Sequence, residues 1–222
     1  MLALDGISFF CSWSGGKDSC LALHHALRAG GKPERLVTMM REDGLRSRSH
    51  ALPRSLLEEQ ARRLGIPILF QPASWESYEA VFSDALRGVK MEGVEAGVFG
   101  DIDIEDHRDW CRRVCSAQDF RAVHPLWKQP RRELLEEFLG LGFQAVIVVT
   151  QAEKMGPEWL GRVLDADAIP ELEKLGVDPS GELGEYHTVV TSGPLFRSDI
   201  PLKTGEPVLH EGYWFLEIRD TA

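Results

Sequence analysis

Apolar positions along this chain change period in a regular rhythm. Residues 7–13 (ISFFCSW) form one short continuous apolar run, and 17–29 (KDSCLALHHALRA) repeat apolar residues at helical spacing. Gly30-Gly31 closes that helix, because glycine enters the left-handed backbone of a helix end without a Cβ penalty. The same alternation predicts strand 35–40, helix 53–64 between Pro53 and Gly65, strand 66–70, helix 76–90, strand 94–99 and helix 104–116. Helices of this length between short apolar strands are crossover connections, so the expected class is α/β with a mainly parallel sheet.

Helix 130–141, strand 143–149 and a short helix near 170–175 continue the pattern. The character then changes. Residues 176–222 carry short strand-like runs at 206–210 and 213–218 without crossover helices, which predicts a smaller C-terminal α+β domain. The expected division is a first domain at 1–125 and a second at 126–222.

Composition narrows the function classes. With 222 residues, 43% of them hydrophobic, the chain can bury a substantial core. No apolar run approaches the roughly 18 residues of a membrane span. The N-terminal MLALDGISFFCSW lacks a basic region ahead of its apolar stretch, and the expected location is cytoplasmic. Cys11, Cys20, Cys111 and Cys115 include no Cys-x-x-Cys pair and read as reduced thiols. A net charge of −10 argues against broad binding to nucleic-acid backbone, which calls for a basic footprint.

The junction of the first strand and helix reads Ser14-Gly15-Gly16-Lys17-Asp18-Ser19. In an open α/β sheet, ligands bind beyond the carboxyl ends of the strands. Two glycines let the backbone approach a ligand and turn several N–H groups one way, at a helix N-terminus that suits an anion. Lys17 adds a full charge, and Ser14 and Ser19 add hydroxyl donors. The hexapeptide has neither Walker A spacing nor the G-x-G-x-x-G pattern. It reads as a phosphate cradle on a solvent-facing turn.

SGGKDS resembles the PP-loop of the ATP pyrophosphatases. Further stretches, SRSH (47–50), LLEEQARRLGIP (56–67), VFGDIDIEDHRDWCRRVC (98–115), HPLW (124–127), WLGR (159–162) and DPSGELGEYHTVVTSGPLF (178–196), resemble the diphthine–ammonia ligase family. That resemblance implies a HUP-type, Rossmann-like domain with helices on both sheet faces, followed by a substrate domain. It implies an amide ligase that adenylates a carboxylate with ATP and displaces AMP with ammonia. The family's acceptor is diphthine, a modified histidine of translation elongation factor two, with a related acceptor expected in a bacterial source. The implied cofactors are ATP and Mg²⁺. The implied partners are AMP, pyrophosphate, ammonia and an elongation factor, without nucleic acid or membrane; the oligomeric state stays open, a homodimer included. Ser180 stands where the family pattern has cysteine, and Leu183 where a smaller or polar residue is usual. The chain resembles the short form, without the further C-terminal domains of longer members. A PP-loop enzyme that modifies tRNA and a nucleotide sensor without turnover are the competing readings.

Single residues complete the expected site. Asp101 follows strand 94–99 through Gly100, where a carboxylate either holds Mg²⁺ or caps the next helix. Asp18 either binds metal or favours the helix dipole. Asp103, His107, Cys111 and Cys115 share one helical stripe, which reads either as a metal set or as packed core cysteines with His107 as a nucleotide or substrate contact. Ser49 and His50 follow the second strand, within reach of a nucleotide. In GEYHT, strand alternation puts Glu185 and His187 on one face and Tyr186 and Thr188 on the other. Spacing alone fits an ordinary polar strand face equally well; the resemblance implies that the pair, with Lys17 and Glu182, is the catalytic set, oriented on ammonia or its proton.

Overall fold

The computed structural model describes residues 4–219. It divides into two compact units. The first comprises the described residues up to Ser14, Asp18–Arg48 and Gly65–Lys128; the second comprises Gly15–Lys17, Ser49–Leu64 and the described residues from Gln129 onward.

The first unit is built on five strands: β1 (Ser8–Ser12), β2 (Lys32–Met40), β3 (Ile68–Pro72), β4 (Ala96–Val98) and β5 (Arg121–Val123). Their order is β3-β2-β1-β4-β5, and every neighbouring pair is parallel. Helix α1 (Lys17–Arg28) follows β1, α2 (Arg54–Leu64) lies between β2 and β3, α3 (Tyr78–Met91) between β3 and β4, and α4 (Glu105–Ser116) between β4 and β5. This is the α/β, mainly parallel architecture that the alternating periods predict, and it is Rossmann-like as the resemblance implies. Phe9, Phe10 and Cys11 of β1 are all fully buried. Successive side chains of a strand point to opposite faces, so the central strand is covered on both and its apolar run is continuous rather than alternating.

Phe10 anchors the core, meeting the rings of Phe82, Phe99 and Phe120 edge-on at centroid distances of 6.3, 5.8 and 5.4 Å. Each such pair adds about 0.5–1.5 kcal/mol beyond the area it buries. From β1 the chain steps outward through β2 to β3, then resumes on the other side of β1 with β4 and β5. The order reverses between β1 and β4, and the turns leaving the carboxyl ends of those two strands flank the topological switch point where such sheets bind ligands.

The second unit has an antiparallel sheet of β6 (Gln144–Gln151), β7 (Tyr186–Ser192), β8 (Lys203–His210) and β9 (Tyr213–Arg219), in the order β7-β6-β9-β8. Besides α2 it contains α5 (Arg131–Gly140), α6 (Ala168–Lys174) and a 3-10 turn at Pro157–Trp159. It is an α+β arrangement. Two short elements escape the periodicity reading, β5 and the 3-10 turn, because three residues are too few to display a period. GEYHT enters its strand at Tyr186, so Glu185 precedes β7.

Candidate active site

In the second unit, Gly15 and Gly16 are fitted into tight surroundings. Gly15 has φ +83°, and a Cβ there would lie 2.8 Å from both Gln60 Oε1 and Leu52 Cδ1. Its carbonyl accepts from the Val190 N–H at 2.9 Å and from Gln60 Nε2 at 3.0 Å. Gln60 is fully buried and also donates to the Val190 carbonyl at 2.8 Å. A Cβ on Gly16 would meet His50 Nε2 at 2.7 Å. These contacts pin the loop backbone in place.

Lys17 opens α1, and its N–H donates to Thr188 Oγ1 at 3.2 Å. Its ammonium lies 5.6 Å from the centre of the Tyr186 ring, within cation–π range. The solvent-facing position expected of Lys17 is not observed: the residue is only 5% exposed, because β7 supplies Tyr186 and Thr188 against it. The rings of His50 and His187 lie 4.5 Å apart. Desolvation, with Lys17 close by, lowers the His187 imidazole to about 4. Desolvation, with His187 and Lys17 as neighbours, pushes His50 well below its ordinary value. Both rings are therefore neutral at pH 7, leaving Lys17 as the positive charge of this group.

GEYHT and the loop before it are ordered by local hydrogen bonds. Glu185 is 1% exposed; its Oε1 lies 3.3 Å from Lys154 Nζ, and its buried Oε2 has no hydrogen-bond partner among the described residues. Glu185 and His187, expected as one catalytic pair, thus have different neighbours. Ser180 is buried and donates through Oγ to Asp178 Oδ2 at 2.8 Å. The same carboxylate accepts from the Glu182 N–H at 3.2 Å and pairs with Arg131 at 2.6 Å. Ser180 therefore helps fold the loop. Glu182 is half-buried, Leu183 exposed and Ser49 exposed.

In the first unit, the hydroxyls of Ser14 and Ser19 lie 3.1 Å apart, and half-buried Asp18 sits in the first turn of α1. A Cβ on Gly100 would lie 2.9 Å from backbone atoms of Asp18 and Ser19. The turn after β4 thus presses on the start of α1 at Gly100. Asp101 is surrounded by His107 Nδ1 at 3.7 Å, His124 Nε2 at 3.5 Å and Cys111 Sγ at 3.6 Å. Magnesium takes hard oxygen donors, and a thiol and imidazoles do not supply them. Asp101 therefore fits Mg²⁺ poorly. Cys111 and Cys115 are buried in the core, as their stripe suggests, while His107 is exposed.

The model of the diphthamide synthase N-terminal domain matches residues 9–122, and that of the diphthamide synthase C-terminal domain matches 130–222. The chain belongs to the diphthamide synthase family. Proteins of that family named diphthine–ammonia ligase are similar along most of this chain. The one from Homo sapiens is 26% identical over 231 residues, covering 92% of this chain and 86% of its own length. The one from Danio rerio is 26% identical, covering 89% and 87%. The one from Schizosaccharomyces pombe is 26% identical and covers 89% of this chain, but only 36% of its own length is matched. A solved chain from Methanocaldococcus jannaschii, described as a subunit of tRNA methyltransferase, has 16% identity and covers 85% of this chain and 98% of its own. Its TM-score is 0.46.

Several residues that shape the site in this diphthamide synthase family member escape sequence reasoning. Gln60 is in phase with the buried Leu56, Leu57 and Ala61 of α2, and a polar residue in an apolar stripe was a usable signal. Thr188 stands on the strand face that carried no expected role. His124 lies in HPLW, and nothing nearby in sequence links it to Asp101. Lys154 sits in a turn beyond β6, brought to Glu185 by strand pairing alone.

Proposed function

We propose that this protein is an ATP-dependent carbon–nitrogen ligase that amidates a carboxylate with ammonia, with diphthine of a translation elongation factor as the acceptor class. Family membership supports ligase chemistry. The observation that carries the AMP-forming reading is a buried lysine at the N-terminus of α1, next to two glycines at the end of the central strand. In the proposed reaction a carboxylate oxygen attacks the α-phosphorus of ATP, the bond to pyrophosphate breaks, and an acyl-adenylate forms. Ammonia then attacks the acyl carbon and AMP leaves. We assign 1–125 to the nucleotide and 126–222 to the acceptor, except that His187 of the second segment serves the nucleotide beside Lys17 and His50.

In this reading the Ser14–Ser19 loop holds the leaving pyrophosphate. Lys17 and the helix N-terminus oppose the charge that builds on it. Neutral His50 and His187 offer imidazole nitrogens to phosphate or ribose without adding charge. Glu185 accepts the proton that the attacking nitrogen must lose, through the buried oxygen that has no hydrogen-bond partner among the described residues, while Lys154 positions the carboxylate. Magnesium, when bound with the nucleotide, would supply further neutralisation; Asp18 is the remaining carboxylate suited to it. Residues that exclude water matter here, because hydroxide competes with ammonia for the adenylate.

Product analysis tests the reading. With ATP, ammonia and a diphthine-bearing acceptor, AMP and pyrophosphate are expected in step with amide. ADP and phosphate would overturn it, since attack would then fall on the γ-phosphorus. A second measurement divides the site. Glu185→Gln is expected to abolish amide formation while ATP affinity by calorimetry stays within about twofold. His187→Ala, beside Lys17 and His50, is expected to weaken ATP binding as well. Unchanged amide formation in Glu185→Gln would remove its proposed role.

A further inference from the structure

We propose that Asp101, Cys111 and His124 form a binding site for a borderline divalent cation of the Zn²⁺ class. Their donor atoms, one carboxylate oxygen, one sulfur and one imidazole nitrogen, all lie within 4.8 Å of one another. Asp101 Oδ2 is 3.5 Å from His124 Nε2 and 3.6 Å from Cys111 Sγ. Around a tetrahedral zinc ion with bonds of roughly 2.0–2.3 Å, ligand atoms stand about 3.3–3.6 Å apart. The spacings from the carboxylate oxygen match that geometry.

His124 supplies the second, independent observation. Its side chain is 5% exposed, and its buried Nε2 has no hydrogen-bond partner among the described residues. The ring is stacked on Phe99 at 5.4 Å and meets Trp127 edge-on at 6.0 Å, which fixes the direction of that nitrogen. A buried imidazole nitrogen held toward a carboxylate and a thiol is a metal ligand in waiting.

Placement in the fold explains how the three meet. Asp101 lies in the turn after β4, His124 directly follows the adjacent β5, and Cys111 is on α4, the helix that joins those strands. Three protein ligands leave a fourth position for water or a substrate oxygen. The exposed His107 has its Nδ1 3.7 Å from the other carboxylate oxygen, Asp101 Oδ1. The mixed donor set selects zinc over magnesium. Without a metal, the same atoms would make only a weak hydrogen bond from the Cys111 thiol to Asp101.

Cobalt titration of the full chain, after dialysis against a chelator, tests the site independently of ATP turnover. Co²⁺ is an optical stand-in for Zn²⁺. One equivalent is expected to bind with a sulfur-to-cobalt charge-transfer band, to be displaced by Zn²⁺ and to resist excess Mg²⁺. Cys111→Ser should lose the band, Cys115→Ser should keep it, and His124→Gln should weaken binding by about tenfold or more. Circular dichroism checks that each variant is folded. If Cys111→Ser does not fold, Asp101→Asn replaces it, with the same loss of affinity expected. A missing band in the parent protein, a band that survives Cys111→Ser, or displacement by Mg²⁺ would each overturn the site. Failure on any of these counts leaves the ligase reading standing, because no step of that reaction was assigned to this trio.

Discussion

Lys17→Met is expected to lower ATP-dependent turnover by about 100- to 1,000-fold, the typical cost of removing one preorganised charge partner of a transition state. The melting temperature should move by only about a few degrees. Methionine keeps a flexible stem of similar length, so packing against Tyr186 survives while the ammonium is lost. The backbone N–H that donates to Thr188 is unaffected by the change. Alanine would be a poorer test, because at 5% exposure it also removes buried packing. Two assays, steady-state release of pyrophosphate and thermal unfolding, separate charge from fold. Turnover within threefold of the parent would show that Lys17 does not oppose charge on the departing phosphates.

Gly15→Ala is expected to cost about 2–5 kcal/mol of stability, read from the shift of the urea midpoint. Two terms contribute. The left-handed backbone at φ +83° costs a residue with a Cβ roughly 1–2 kcal/mol. Overpacking against Gln60, Leu52 and Leu57, all under 3.0 Å from the added atom, costs about 1–3 kcal/mol more. Gly93 separates the terms, because it has the same φ of +83° and nothing within 4 Å of an added Cβ. Gly93→Ala should therefore lose only the backbone share. Equal losses in the two variants would mean that Gln60 and the leucines yield without cost.

Most of the fold could be read from periodicity, because buried strands and amphipathic helices display their burial in sequence. The continuous run of β1 and the stripe of α2 are direct images of what covers them. The Ser14–Ser19 turn was equally legible as a strand–helix junction, since its glycines serve local geometry. Long-range pairing was not legible. Lys17 is buried by residues some 170 positions away, and no local pattern records that. The same holds for Asp101 and His124, which adjacent parallel strands bring together. Gln60 was the exception, a polar residue in an apolar stripe whose phase betrayed it.

All four thiols, Cys11, Cys20, Cys111 and Cys115, are buried, and all four belong to the parallel-sheet unit; the antiparallel unit has none. Burial also drives their acidity the wrong way for attack, raising Cys115 to about 12 and Cys11 and Cys20 well above the ordinary range. An alkylating reagent can therefore label Cys11 and Cys20 only when the first unit transiently opens. Labelling kinetics become a clock for breathing in one half of the molecule, to which the other half is silent. Comparing that clock with global unfolding would show whether the two halves come apart together or in turn.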